Sequence, residues 1–284
     1  MKKRAKAAFK AYTGRYDVSD SKIKLKIDHT YRVAEIAEAI ARDGDIDLEE
    51  YNVDFCWLLG LLHDIGRFEQ LTRYGTFKDD ESVDHAEFGA DILFKGIDGE
   101  EPLIDTFIDP ADWLDPECPD VEWEEMVLIA ESAIRLHNKL VIPEDLGEDI
   151  RLFADILRDA DKIDIFRVIS EPPYDERNAR IVRGSVDGSI APARDDIMRC
   201  VYEHRCVPKA FKRTDFESLI SQCCMALELA YPISRKMVRK QGYLYALMNL
   251  PVRDPAMAEQ LGILQSEVKK VWEEYDHINN REKK

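Results

Sequence analysis

Six histidines occur among 284 residues: His29, His63, His85, His137, His204 and His277. His63 adjoins Asp64 at the end of the run from Val53 to Leu62, which is almost uninterrupted hydrophobe. Such a run reads as a helix buried on most of its circumference. Two ionisable side chains at its end are costly to bury unless something pairs with them. Successive helical side chains point about 100° apart, so His63 and Asp64 can reach one centre only near a helix end, which Gly66 is expected to supply. A metal ion would satisfy both groups. A capped helix end with a satisfied core histidine is the lesser alternative for the dipeptide taken alone.

The other histidines favour the metal. His29 extends backwards the stripe Val33, Ile36, Ala37 and Ile40, and His137 falls on the face marked by Met126, Ala130, Ala133 and Ile134. His85 opens a short pattern through Ala86, Phe88, Gly89, Ile92 and Leu93. On a helix expected over residues 149–169, Asp161 lies on the stripe Ile150, Ala154, Leu157, Ile165 and Val168. A single histidine on an apolar face is usually an ordinary core residue. Four of them with two aspartates, each inward-facing, make coincidence the poorer account. Imidazole and carboxylate donors without thiolates suit Zn, Fe, Mn, Co or Ni. His29, His63, Asp64 and Asp161 could hold one ion; His85 and His137 could hold a second, with Asp64 bridging. Two divalent ions and two aspartates leave a surplus of about +2, which suits a phosphate, and bound metals acidify their water.

These residues, in the order His29, His63-Asp64-Ile65-Gly66, His85, His137-Asn138 and Ala160-Asp161-Lys162, resemble the six-ligand form of the HD-domain metal-dependent phosphohydrolase superfamily. The resemblance covers roughly residues 25–170. It implies an all-α helical bundle and two divalent transition-metal ions. The first would sit on His29, His63, Asp64 and Asp161, the second on His85 and His137, bridged by Asp64. Arg67 stands where many members carry Lys, and as a cation it serves the same phosphate contact, with a bidentate grip. No Gly-Tyr-Pro element follows the His-Asp pair, which argues against a cyclic-dinucleotide phosphodiesterase of the HD-GYP kind. Asp64, Arg67 and Arg32 are the catalytic candidates, Arg32 because it follows His29 by one turn. Substrate contacts are assigned to Arg67, Arg73, Lys162 and Asn138. Arg135 and Arg158 are further phosphate candidates, read equally well as solvated cations, and Asp164 is a candidate to orient a ligand histidine.

The elements around these residues divide the chain into a basic N-terminal helical segment (1–24), a metal-binding core (25–172) and a C-terminal helical extension packed on the core (173–284). Ala5, Ala8, Phe9 and Tyr12 give the first segment a thin stripe for docking on an acidic body. Residues 68–83 read as a long connector rimming the pocket. Residues 96–134 hold thirteen acids and no Lys or Arg, a solvated insertion ending where Asp120 caps the next helix. Arg177 to Gly188 reads as an irregular link. Thr214-Asp215-Phe216-Glu217 is a capping-box signature, and Asp254-Pro255 opens the last helix.

Composition narrows the function further. Apolar content of 45% and charged content of 34% describe a globular protein, and a net charge of −17 disfavours nucleic-acid polymers. No apolar stretch is long enough to span a membrane. Cys56, Cys118, Cys200, Cys206, Cys223 and Cys224 show neither CxxC spacing nor a small disulfide framework, which fits a cytoplasmic protein. Three functions remain: hydrolysis of a phosphate ester or phosphodiester of a nucleotide or small phosphorylated metabolite; oxidation by a di-iron oxygenase resembling myo-inositol oxygenase, which has the same ligand order; and a ligand-binding module without catalysis.

Overall fold

The computed structural model describes all residues except 47, 110–122, 173, 185–188 and 283–284, with side chains described as far as residue 277. The described residues are helical and irregular, with no strand among them. The fold is all-α. Asp120 and Cys118 lie outside the described residues.

The chain forms two compact units, Met1–Asp161 and Lys162–Lys284. The first begins with α1 (Lys2–Thr13) and α2 (Ser21–Ala41). Asp20 caps α2, its carboxylate accepting from the Lys22 amide at 2.7 Å. α3 (Glu50–Leu62) is the expected hydrophobic rod: Phe55, Cys56, Trp57, Leu58, Leu59, Leu61 and Leu62 are all at most 2% exposed. It crosses α2 where Gly60 meets Ala34. A Cβ on Gly60 would fall 2.5 Å from Ala34 Cα, so this crossing depends on glycine.

Gly66 does not end α3. The helix stops at Leu62, His63-Asp64-Ile65 form the link, and Gly66 begins α4 (Gly66–Tyr74). Packing explains the residue: a Cβ there would lie 2.6 Å from His85 O and 2.7 Å from Gly89 N, so Gly66 lets α4 press onto α5 (His85–Phe94). The expected connector over 68–83 is accordingly half helix. α4 runs to Gly75, whose φ of +70° ends it in the left-handed conformation. Asp84 caps α5 by accepting from the Ala86 amide at 3.0 Å. A short helix, α6 (Ile104–Phe107), then α7 (Trp123–Leu136) and α8 (Glu148–Val168) follow, and α8 runs past Asp161 into the second unit.

α1 belongs to the first unit and supports the link. Phe9 is fully buried against Tyr31 and Phe68, and Tyr12 Oη donates to Ile65 O at 3.2 Å. Lys2 pairs with Glu38 at 2.9 Å and Asp54 at 2.8 Å, acids of α2 and α3.

In the second unit the link expected over 177–188 contains a helix, α9 (Asp175–Arg183). Its buried face uses Arg177 and Asn178 beside Ile181, which hides the apolar period from the sequence. Asn178 Nδ2 donates to Ile169 O at 2.7 Å and Arg177 Nη1 to Gln222 Oε1 at 2.8 Å. α10 (Asp195–Tyr202), α11 (Asp215–Cys224), α12 (Pro232–Gln241), α13 (Tyr243–Met248) and α14 (Pro255–Glu282) complete it. Thr214 and Glu217 form the expected capping box, and Asp254 Oδ1 accepts from the amides of Ala256 and Met257. No described helix is long and apolar enough to cross a membrane.

Candidate metal centre

Three helices (α2, α5 and α8), the turn that follows α7 and one interhelical link bring His29, His63, Asp64, His85, His137 and Asp161 together inside the first unit. Asp64 stands at the middle, its two oxygens facing different groups. Oδ2 lies 3.6 Å from His29 Nε2 and 3.5 Å from His63 Nε2. Asp161 Oδ1 completes this first group, 3.1 Å from His29 Nε2 and 3.7 Å from His63 Nε2. On the other side, Asp64 Oδ1 lies 3.5 Å from His85 Nε2 and 3.9 Å from His137 Nε2. Donors about 2.1 Å from one ion sit roughly 3–3.5 Å from one another, so each group has nearly the spacing that a cation imposes.

The histidine tautomers support this assignment. His63 Nδ1 lies 2.7 Å from Gly60 O, and His137 Nδ1 lies 2.7 Å from Ile134 O. A carbonyl only accepts, so both Nδ1 atoms carry the proton and both Nε2 atoms present lone pairs to the centre. His85 Nδ1 donates to the Asp79 carboxylate at 2.9 and 3.0 Å, which fixes the same tautomer. The Nε2 atoms of His85 and His137 then face each other at 3.0 Å with a lone pair each, an arrangement a cation relieves. His63 Nε2 is buried and finds no hydrogen-bond partner among the described residues, as a donor awaiting an ion would. The residues present fit divalent cations.

Electrostatics agree. Burial pushes the His63 imidazolium down to about 4 and His85 to about 3, the latter also opposed by Arg67, and burial lowers His137 as well. All three are therefore neutral near pH 7, the state that ligates. Burial would raise the Asp64 carboxyl, but Lys26, then His63 and Arg67, hold it well below the usual carboxylate range. Asp161 is held low against burial by His29 and His63.

Two neighbours were not evident as site residues from the sequence. Lys26 Nζ sits 2.6 Å from Asp64 Oδ2. It precedes His29 by one helical turn, so the phase reasoning that singled out Arg32 after His29 applies equally before it. Asp79 holds His85 Nδ1 and also receives Arg67 Nη1 at 3.0 Å and Gln70 Nε2 at 3.1 Å. Nothing distinguishes it in sequence from Asp80 and Glu81 beside it.

The remaining candidates are distributed as follows. Arg67 is at the centre, its Nε 3.4 Å from Asp64 Oδ1 and its Nη1 donating to Phe77 O at 2.6 Å. Asn138 Nδ2 donates to Asp84 Oδ1 at 2.7 Å and lies 3.4 Å from His85 Nδ1, beside the second group. Arg73 is paired with Glu69 and Asp98. Lys162 is buried, with Nζ 3.3 Å from Glu228 O. Arg32 is exposed on α2. Arg135 is enclosed by Glu87, Asp91 and Glu131. Arg158 Nη1 donates to the carbonyls of Leu136, His137 and Lys139, closing the C-terminal end of α7 and fixing the His137 backbone. Asp164 is fully buried and receives Arg167 Nε and Nη2.

An all-helical domain whose histidines and aspartates converge on one buried centre defines a class of protein built to hold divalent cations. The family model of the HD domain matches residues 27–165, a span that contains all six of these residues. That span matches the domain of a superfamily of metal-dependent, hydrolase-type proteins. Neither the curated proteins nor the solved structures compared with the chain gave a match.

Proposed function

We propose that this protein is a metal-dependent phosphohydrolase with a dinuclear centre, acting on a phosphate ester or phosphodiester of a nucleotide or small phosphorylated metabolite. The observation that carries the reading is the division of Asp64, with Oδ2 turned to His29 and His63 and Oδ1 to His85 and His137. His29, His63, Asp64 and Asp161 would hold one ion; His85, His137 and Asp64 would hold the other. When bound, the ions supply Lewis acidity toward phosphoryl oxygens and lower the pKa of water at the centre toward neutrality. The protein's own part is orientation and charge. Backbone carbonyls and Asp79 lock three imidazoles with Nε2 inward, so the centre needs little reorganisation on loading. Arg67, anchored by Phe77 O and Asp79, presents its guanidinium beside Asp64, where it can grip a phosphoryl oxygen. The four imidazoles are dry: the side chains of His29, His63, His85 and His137 are at most 4% exposed.

A panel of nucleotides, sugar phosphates and model phosphodiesters, each with Mn, Fe, Co, Ni or Zn, tests the proposal by phosphate release. Release that depends on metal and disappears in Asp64→Ala is expected. Oxygen uptake with mixed-valent iron and no phosphate release from any ester would replace it with an oxygenase.

A further inference from the structure

Two cations border the centre on its solvent side. The side chains of Lys26 and Arg67 are 17% and 14% exposed, comparable with the 15% of Asp161, whereas Asp64 between them is 3% exposed. Both stack on one ring: Lys26 Nζ lies 5.7 Å and Arg67 Cζ 5.8 Å from the centroid of Phe77. Arg67 Nε is buried and, among the described residues, lacks a hydrogen-bond partner, although Asp64 Oδ1 is only 3.4 Å away. The structure thus places two cations on a shared aromatic platform, with a guanidinium nitrogen beside Asp64 that makes no hydrogen bond among the described residues.

Lys26 is the informative member. Its ammonium occupies the side of Asp64 Oδ2, the oxygen that also faces His29 and His63. While that carboxylate has no other cation, the pair is favourable. Once divalent ions take the charge of Asp64, Lys26 is left beside like charge in a poorly solvated place, which is unfavourable unless an anion comes between. A phosphodiester offers one negative charge. A terminal phosphate offers up to two, with three oxygens to share among ions, ammonium and guanidinium.

Building on the phosphohydrolase reading, we infer that Lys26 is an anion-recognition residue that, with Arg67 across Phe77, selects phosphomonoesters, whose phosphate is dianionic, over diesters. Metal loading and dianion binding are then linked through one side chain. Lys26 opposes the ions when the site lacks an anion and favours the anion once they are bound.

The test compares wild type with Lys26→Met, which keeps the stem and removes the charge, and with Lys26→Arg and Lys26→Gln, after circular dichroism and melting confirm folding. Mn²⁺ affinity is measured calorimetrically without phosphate. Orthophosphate and dimethyl phosphate, a monoanion, are then titrated into the Mn²⁺-loaded proteins. In Lys26→Met and Lys26→Gln, Mn²⁺ should bind several-fold tighter and orthophosphate about tenfold or more weakly, with dimethyl phosphate little changed. Lys26→Arg should recover orthophosphate binding. Parallel loss of Mn²⁺ and orthophosphate affinity would make Lys26 a brace for Asp64 and overturn the inference. So would tighter Mn²⁺ with unchanged orthophosphate, which would mean that the ammonium simply swings away. If wild type hydrolyses phosphoesters and the variants give either of these results, only the inference fails. A wild type that loads Mn²⁺ but neither binds orthophosphate nor releases it from any ester removes the phosphohydrolase reading as well.

Discussion

Asp79→Asn isolates a group that touches no ion yet should decide whether the second one stays. The carboxylate gathers four donors: His85 Nδ1 at 2.9 Å, Arg67 Nη1 at 3.0 Å, Gln70 Nε2 at 3.1 Å and Asn138 Nδ2 at 3.5 Å. Asparagine matches it in shape but replaces one acceptor oxygen with an NH₂, which would point at these donors. His85 would lose a charged acceptor, become a poorer base and be freer to rotate, and Arg67 would lose one anchor. Losing such a partner typically weakens metal affinity about 10–100-fold, or roughly 1.4–2.7 kcal/mol. The loss should fall on the ion held by His85 and His137, because the imidazole that Asp79 holds is that of His85. A two-site Mn²⁺ titration followed by metal analysis after dialysis would read this directly, with two equivalents in wild type and one in the variant at limiting metal. Two equivalents retained at wild-type affinities, or both lost together, would refute the assignment of Asp79 to one half of the centre.

Asp64→Ala should lose both ions and all turnover, while His85→Ala should lose mainly the second; full activity in either would contradict a shared bridging carboxylate. Gly66→Ala should cost about 1–3 kcal/mol, because its Cβ would fall 2.6 Å from His85 O, and a melting curve superposing on wild type would show that α4 and α5 can separate freely. The metal-free protein should weaken as pH falls below about 6.5. There the unfolded histidines take protons that folded His63, held to about 4, and His85, held to about 3, refuse. Each of the two contributes a slope of up to roughly 1.4 kcal/mol per pH unit in that window, so denaturant midpoints that stay flat between pH 6.5 and 5 would exclude buried neutral imidazoles.

What could be read without coordinates was whatever obeys local periodicity. His29, His137 and Asp161 fall in phase with apolar neighbours, and the phase of a helix is set within a few residues by its own geometry. The caps at Thr214 and Asp254 are equally local. The chemistry of the six donors follows from such signals, since hydrophobic spacing and donor type need no knowledge of distant contacts, and the all-α class is what the family resemblance carried by those ordered donors implies. Tertiary structure decided the rest. Gly66 looked like a helix stop and proved to be a close contact with His85 and Gly89, because the atoms a Cβ would strike come from another helix. α9 was hidden because its buried face carries Arg177 and Asn178, whose burial is satisfied only by partners brought in by folding. Asp79 among its acidic neighbours, and the contact of Lys26 with Asp64, become legible only when α2, the His63-Asp64 link and the segment before α5 are packed together. Ligand types are a property of the chain; which oxygen of Asp64 each ligand faces, and which charges stand behind it, is a property of the packing.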